Sequence, residues 1–145
     1  MRCDAVRMKE RAMTLEEVFE SHPEPTSLDH HTLLRCIRAC LDCAASCTAC
    51  ADACLSEKDL PSLVRCIRLN LDCADACDAT SRTVIRQTAS DLGVIGATLK
   101  ACAAACHACG EECERHAAHH EHCRLCAEIC RLCEQACNDV LALID

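Results

Sequence analysis

The stretch RCIRACLDCAASCTACADAC, residues 35–54, decides the fold. Its cysteines stand at 36, 40, 43, 47, 50 and 54, at intervals of 4, 3, 4, 3 and 4, which is the a/d seam of a helix packed against other helices. Cysteine takes the places where Leu or Ile is the usual choice. Three later segments keep the same period: Cys66, Asn70, Cys73 and Cys77; Cys102, Cys106, Cys109 and Cys113; Cys123, Cys126, Cys130, Cys133 and Cys137. RCIRLNLDCADAC at Arg65 to Cys77 also echoes RCIRACLDCAASC at Arg35 to Cys47, a weak internal repeat.

Working outward from these stripes, the chain reads as all-α. Gly and Pro number three each, and no segment alternates β-branched or aromatic residues as a strand would. The spacing predicts helices from about Leu28 to Ser56 behind Ser27, and from about Leu60 to Thr88 behind Asp59 with Pro61 in the first turn. It predicts two more, from near Asp91 to about Ala117 behind Ser90, and from about His120 to Ile144. Short connections make successive helices antiparallel neighbours, so an up-down-up-down four-helix bundle over 28–145 is expected. Residues 1–27 read as an N-terminal extension, with one short helix around Thr14 to Glu20 that the SHPEP turn at Ser21 to Pro25 stops.

Composition narrows the function. A chain of 145 residues is long enough for one domain with a core, but its hydrophobic fraction of 51% is made of 19 Cys and many Ala, and Phe19 is the only Phe. Cysteine packs as a small hydrophobe that lets helices approach while burying little area, so a further source of stability is expected. A formal charge of −8 and 1% aromatics argue against a nucleic-acid partner, which needs a basic surface and stacking platforms. The opening MRCDAVRMKERAM lacks an apolar signal core, and no later stretch reads as membrane-spanning, so the cytosol is the expected location, with no membrane partner. Many cysteines in such a setting point to metal or redox chemistry, not to a disulfide scaffold.

A helix rises about 1.5 Å per residue, so reflecting each stripe through its connecting loop predicts which residues share a level. From the end that holds the first and third connections, the levels are Cys54, Leu63, His116 and Cys123; Cys50, Cys66, Cys113 and Cys126; then Cys47, Asn70, Cys109 and Cys130. Cys43, Cys73, Cys106 and Cys133 follow, then Cys40, Cys77, Cys102 and Cys137, then Cys36, Thr80, Leu99 and Val140. Leu33, Val84, Ile95 and Ile144 close the far end with hydrocarbon. All the cysteines but Cys3 thus line one tube.

The two ends differ. His116 lies on the seam at one of them, with His119, His120 and His122 in the adjoining turn, a weaker ligand set suited to metal on its way in. His107 points outward, and His22, His30 and His31 lie far from this mouth; Met8 and Met13 belong to the tail. Asn70 in mid-tube has two readings, a buried polar residue that sets register or an amide oxygen that binds metal.

Softness and charge choose the metal. Thiolate is the preferred ligand of Cu(I), and a thiolate bridging two digonal ions gives about one Cu⁺ per sulfur, a nearly neutral filling. Four thiolates around Zn²⁺ leave about −2 at each site, costly inside a dry tube whose seams carry no Lys or Arg. The competing readings are a zinc-thiolate sink and a redox or iron–sulfur carrier. A single CxxC is weak evidence for any of them, but thioredoxin-like, zinc-ribbon and ferredoxin motifs belong to strand–helix junctions, knuckles and loops, not to helix seams.

On RCIRACLDCAASCTACADAC, RCIRLNLDCADAC, KACAAACHACGEEC and HCRLCAEICRLCEQAC the chain resembles the copper storage proteins, in particular their cytosolic branch, from about Leu28 to its C-terminus. The resemblance implies a four-helix bundle that assembles as a homotetramer, is not an enzyme, and fills each core with many Cu(I) ions through Cys and a few other ligands at the mouth. A cytosolic copper chaperone or a small thiol is the expected class of donor, which the resemblance itself does not supply. The N-terminal extension with Cys3 and the number of histidines near the mouth depart from the family pattern.

Overall fold

The computed structural model describes residues 15–145, and among them the ordered elements are helical. After a helical turn at 15–20 come four long helices, α1 (His30–Leu55), α2 (Val64–Ile85), α3 (Leu92–Arg115) and α4 (Glu121–Ile144), with a 3₁₀ turn at Leu60–Leu63 leading into α2. Cys3, Met8, Met13 and Thr14 lie outside the described residues.

Helix starts are set by side chains that satisfy the free amides of the first turn. At α1 the cap is Asp29, not Ser27: its carboxylate accepts from the Thr32 amide at 2.9 Å and from the Thr32 hydroxyl at 2.6 Å. At α3 it is Asp91, not Ser90, accepting from the Val94 amide at 3.0 Å. Both corrections have one reason. A carboxylate is the stronger acceptor and its charge opposes the helix dipole. Asp59 precedes the 3₁₀ turn, and Pro61 sits in that turn, where a missing amide costs little. α2 stops at Ile85, short of Thr88, because Arg86 turns extended and Gln87 is used elsewhere. Its amide donates to the Phe19 carbonyl at 2.9 Å and accepts from the Thr26 amide at 2.9 Å.

Each long helix packs against two others, α1 on α2 and α4, and α3 on α2 and α4, closing a ring around the cysteine stripes. Sulfur pairs across α1 and α4 run in opposite chain order, Cys36 with Cys137 at one extreme and Cys50 with Cys123 at the other. At one end Leu33, Val84 and Ile95 are buried over Cys36, Thr80, Leu99 and Val140, and Ile144 is half-buried beside them. Phe19 is buried too, its ring edge-on to His30 with centroids 5.3 Å apart, so residues 15–28 lie over this end. The space left beneath Thr26 and Leu28 is about 20 Å³, room for about one water.

One expectation about composition is corrected. α3 is long and apolar enough to cross a membrane by length and composition, which the sequence reading did not anticipate. Ala and Cys supply that apolarity, and its buried stripe faces the ring as Cys102, Cys106, Cys109 and Cys113.

Candidate metal centre

The helical period brings every described cysteine to the same interior. From Cys36 to Cys137 all are buried and none is in a disulfide. Neighbouring sulfurs are 3.6 to 4.0 Å apart, as in Cys77 to Cys106 at 3.6 Å and Cys36 to Cys137 at 4.0 Å. Level partners do meet: Cys66 and Cys113, Cys73 and Cys106, and Cys77 and Cys102 are each separated by 3.7 Å. The levels are not separate squares, however. Cys47 reaches Cys126 at 3.7 Å and Cys130 at 3.6 Å, and Cys77 also reaches Cys133 at 3.8 Å. Alternating a and d positions offset the four stripes, and a helical side chain leans toward its own N-terminus, so neighbouring levels interleave into one continuous array.

Such an array offers several overlapping cages. Cys40, Cys102, Cys133 and Cys137 converge, as do Cys43, Cys47, Cys73 and Cys130, then Cys43, Cys77, Cys106 and Cys133, then Cys47, Cys109, Cys126 and Cys130. Sulfurs shared between cages are placed to bridge two ions. No Lys or Arg is buried among the described residues, so nothing in the wall offsets a multiply charged filling.

Asn70 is fully buried and fully used. Its amide donates to the Cys66 carbonyl at 2.8 Å and to the Cys113 sulfur at 3.3 Å, while its oxygen accepts from the Cys126 thiol at 3.1 Å. The oxygen therefore points into the sulfur array.

At the mouth, the first level holds Cys54, Leu63 and Cys123, all fully buried. His116 was expected as the fourth member. It caps the end of α3, and its Nε2 lies 3.2 Å from Glu112 Oε1, one turn back on the same helix. His122 reaches the mouth sulfurs. Its Nδ1 lies 3.3 Å from Cys50 Sγ and 3.6 Å from Cys123 Sγ, and the group Cys50, Cys54, His122 and Cys123 converges as a cage. Flanking the stripe one residue before Cys123, this longer side chain reaches around to the sulfurs, a signal that seam spacing alone does not display.

Behind His122 stands a layer in which His120 was expected and the two carboxylates were not. Glu57 Oε1 is 3.0 Å from His122 Nε2 and 3.3 Å from His120 Nδ1, and Asp59 Oδ2 is 3.0 Å from His120 Nε2. The two rings stack with centroids 5.5 Å apart. Hydrogen bonding to Asp59 raises the His120 pKa, and the same contact lowers that of Asp59. His119 is exposed, and His107 is outside the ring with Glu111 and Glu134.

The mouth thiols Cys54 and Cys123 are held toward the neutral form. Burial pushes Cys123 up to about 12, with the Cys54 and Cys113 sulfurs adding to the rise, and burial likewise raises Cys54. Metal binding must therefore expel a proton from each thiol it engages.

The sequence profile of the copper storage protein family matches residues 29–142. Among solved structures, the copper storage protein Ccsp of Streptomyces lividans loaded with 10 copper equivalents is 51% identical, with a TM-score of 0.88. That match covers 90% of this chain and 99% of the other. A histidine-to-alanine variant of Ccsp gives 53% identity and a TM-score of 0.81, covering 83% of this chain and 100% of that one. A third structure, of copper loading to a cytosolic copper storage protein from the same organism with five coppers, is 57% identical with a TM-score of 0.77, over 77% of this chain and 93% of that one. Among curated proteins none matches the chain.

Proposed function

This chain belongs to the copper storage protein family, and on that premise we propose that it is a cytosolic, non-enzymatic store for Cu(I), held by thiolates inside an antiparallel up-down-up-down four-helix bundle. The observation that carries the reading is the continuous array of buried, free cysteine sulfurs in a wall where no Lys or Arg is buried among the described residues. Soft, singly charged Cu⁺ replaces one proton per thiol and leaves the filled tube close to neutral, whereas each tetrathiolate Zn²⁺ leaves net negative charge where it is most costly. Eighteen sulfurs, Cys36 through Cys137, serve as ligands, and the Asn70 oxygen joins them in mid-tube. Residues 28–145 form the storing unit, with residues 1–27 as an extension to it.

Copper enters at the His122 end. A Cu⁺ ion never travels bare, so it passes by ligand exchange from a chaperone or a small thiol, and the Leu33, Val84 and Ile95 side chains buried at the far end offer no ligand for that exchange. His122 receives it beside Cys50 and Cys123, and His120 belongs to the same mouth. Imidazole holds Cu(I) less tightly than thiolate, so the ion moves inward and is not trapped. The protein assembles as a homotetramer, as its resemblance to the family implies.

Titration of the reduced apo-protein with Cu(I) against a competing chelator tests the central claim, with about one ion per core thiol expected. Saturation near four metals with Zn²⁺ preferred would make the protein a zinc sink. Strong visible absorption with a reversible redox couple as isolated would make it an electron carrier.

A further inference from the structure

A neutral imidazole carries its proton on one nitrogen and a lone pair on the other, and which is which is set by the partner of the far nitrogen. For His122 the choice decides whether the mouth works. With the proton on Nδ1, the atom 3.3 Å from Cys50 Sγ and 3.6 Å from Cys123 Sγ becomes a donor to sulfur and has nothing to give to copper. With the proton on Nε2, Nδ1 presents its lone pair between the same two sulfurs.

Glu57 makes the choice. An ionised carboxylate only accepts, so its Oε1, 3.0 Å from Nε2, requires the proton there. The carboxylate is itself held from the other side, because His120 Nδ1 approaches the same oxygen at 3.3 Å while His120 Nε2 is anchored on Asp59 at 3.0 Å. Glu57 also sits just past the end of α1, its amide bonded to the Cys54 carbonyl at 3.2 Å. One stretch, Cys50 to Glu57, therefore supplies two of the mouth thiols and the group that aims the imidazole at them. Metal-bound histidines elsewhere are oriented by a carboxylate or carbonyl on the far nitrogen in the same way.

We propose that Glu57 is a positioning residue for copper loading: it fixes His122 in the Nε2–H form, with the Nδ1 lone pair directed at the space between Cys50 and Cys123. The proposal rests on the reading that copper enters at this end, and it adds the residue that makes His122 competent. Asp59 and His120 act one step further back, by holding Glu57.

Nitrogen-15 NMR of the histidine rings in reduced apo-protein reads the tautomer directly, and stopped-flow loading from a Cu(I) chelate reads the consequence. His122 is expected as the Nε2–H form in the wild type and as a mixture in Glu57→Ala, whose initial loading slows about tenfold with its final capacity unchanged. Glu57→Gln retains an acceptor oxygen and should keep the tautomer and most of the rate, a rescue that loss of local packing would not give. An Nδ1–H form in the wild type overturns the proposal without needing any variant to fold. So does a Glu57→Ala protein with unchanged tautomer and rate while His122→Ala is slow. A His122→Ala protein that loads at the wild-type rate instead removes the reading of where copper enters, and the role proposed for Glu57 goes with it whatever the tautomer.

Discussion

The two ends of the cysteine tube are built from opposite chemistry. At the closed end, Leu33, Val84, Ile95, Leu99 and Val140 fill the space, and Phe19 lies buried beside His30 over them. Among the described residues, no buried side chain there offers a soft ligand beyond Cys36. At the mouth, Cys50, Cys54 and Cys123 meet His122, and two carboxylates and a second imidazole stand behind it. The contrast teaches how a core with little hydrocarbon is held together and still filled. Apolar volume is concentrated where metal has no need to pass, and polar groups are concentrated where it must. Stability and traffic should therefore respond to different residues.

The largest effect expected is on stability at the closed end. Leu99 is fully buried, so Leu99→Ala removes a whole isobutyl group beside thiols too small to refill the space. A loss of about 2–5 kcal/mol in the apo-protein is expected by chemical denaturation, with the copper-loading rate unchanged. A matching change in loading would break the comparison by showing that copper also passes this end. Next comes His122→Ala at the mouth. It should slow loading by more than about tenfold, the scale on which even an outer partner of a metal ligand acts, while altering apo stability little and capacity by at most about one ion. Stopped-flow loading together with equilibrium titration separates rate from capacity.

How much of this was legible beforehand follows from what each residue competes with. The stripes were readable because period is a property of spacing, and cysteine at a/d positions leaves the period intact. The level partners followed from helix rise alone. Other features depend on which of several neighbours wins a local contest. Ser27 and Ser90 were plausible caps, but Asp29 and Asp91 lay close by with a charged acceptor. His116 was on the seam by arithmetic, yet it ends a helix four residues after Glu112, and a carboxylate at that distance captures the ring. Glu57 carried no signal, being an acidic residue in a loop, and Asp59 read only as a helix cap, until the fold set them against His120 and His122. Burial of Phe19 was likewise a tertiary result, since a lone aromatic in a terminal segment has no periodic partner.

The Glu112 contact of His116 sharpens the comparison at finer scale, because it separates two histidines at the same end. His116→Ala deletes a hydrogen bond to Glu112, a carboxylate that Arg65 and Arg115 also approach at 3.5 Å. The expected cost is about 1 kcal/mol of stability, and loading should stay within about twofold of wild type, far from the His122→Ala value. Equal slowing in the two variants would place both rings on the copper path.

The smallest expected effect distinguishes the ends by pH. His120 faces both Asp59 and Glu57, with His122 stacked on it, and the Asp59–His120 contact is the shorter of its two carboxylate contacts. Its effect on stability has a definite sign. The hydrogen bond to Asp59 raises His120 above its ordinary 6.5, so that contribution is fully present below 6.5 and disappears as pH rises through the raised value. The hydrogen bond to His120 lowers Asp59 below its ordinary 3.8, so that contribution is fully present above 3.8 and disappears as pH falls through the lowered value. Both act together between 3.8 and 6.5. Thermal melts of apo wild type and Asp59→Asn should therefore differ most inside that window and converge above it, as His120 loses its proton. Leu99→Ala, whose defect is a lost hydrocarbon, should show the same deficit across the whole range. A pH-independent Asp59→Asn deficit would mean that the carboxylate acts at the mouth by shape, as the residues of the closed end do.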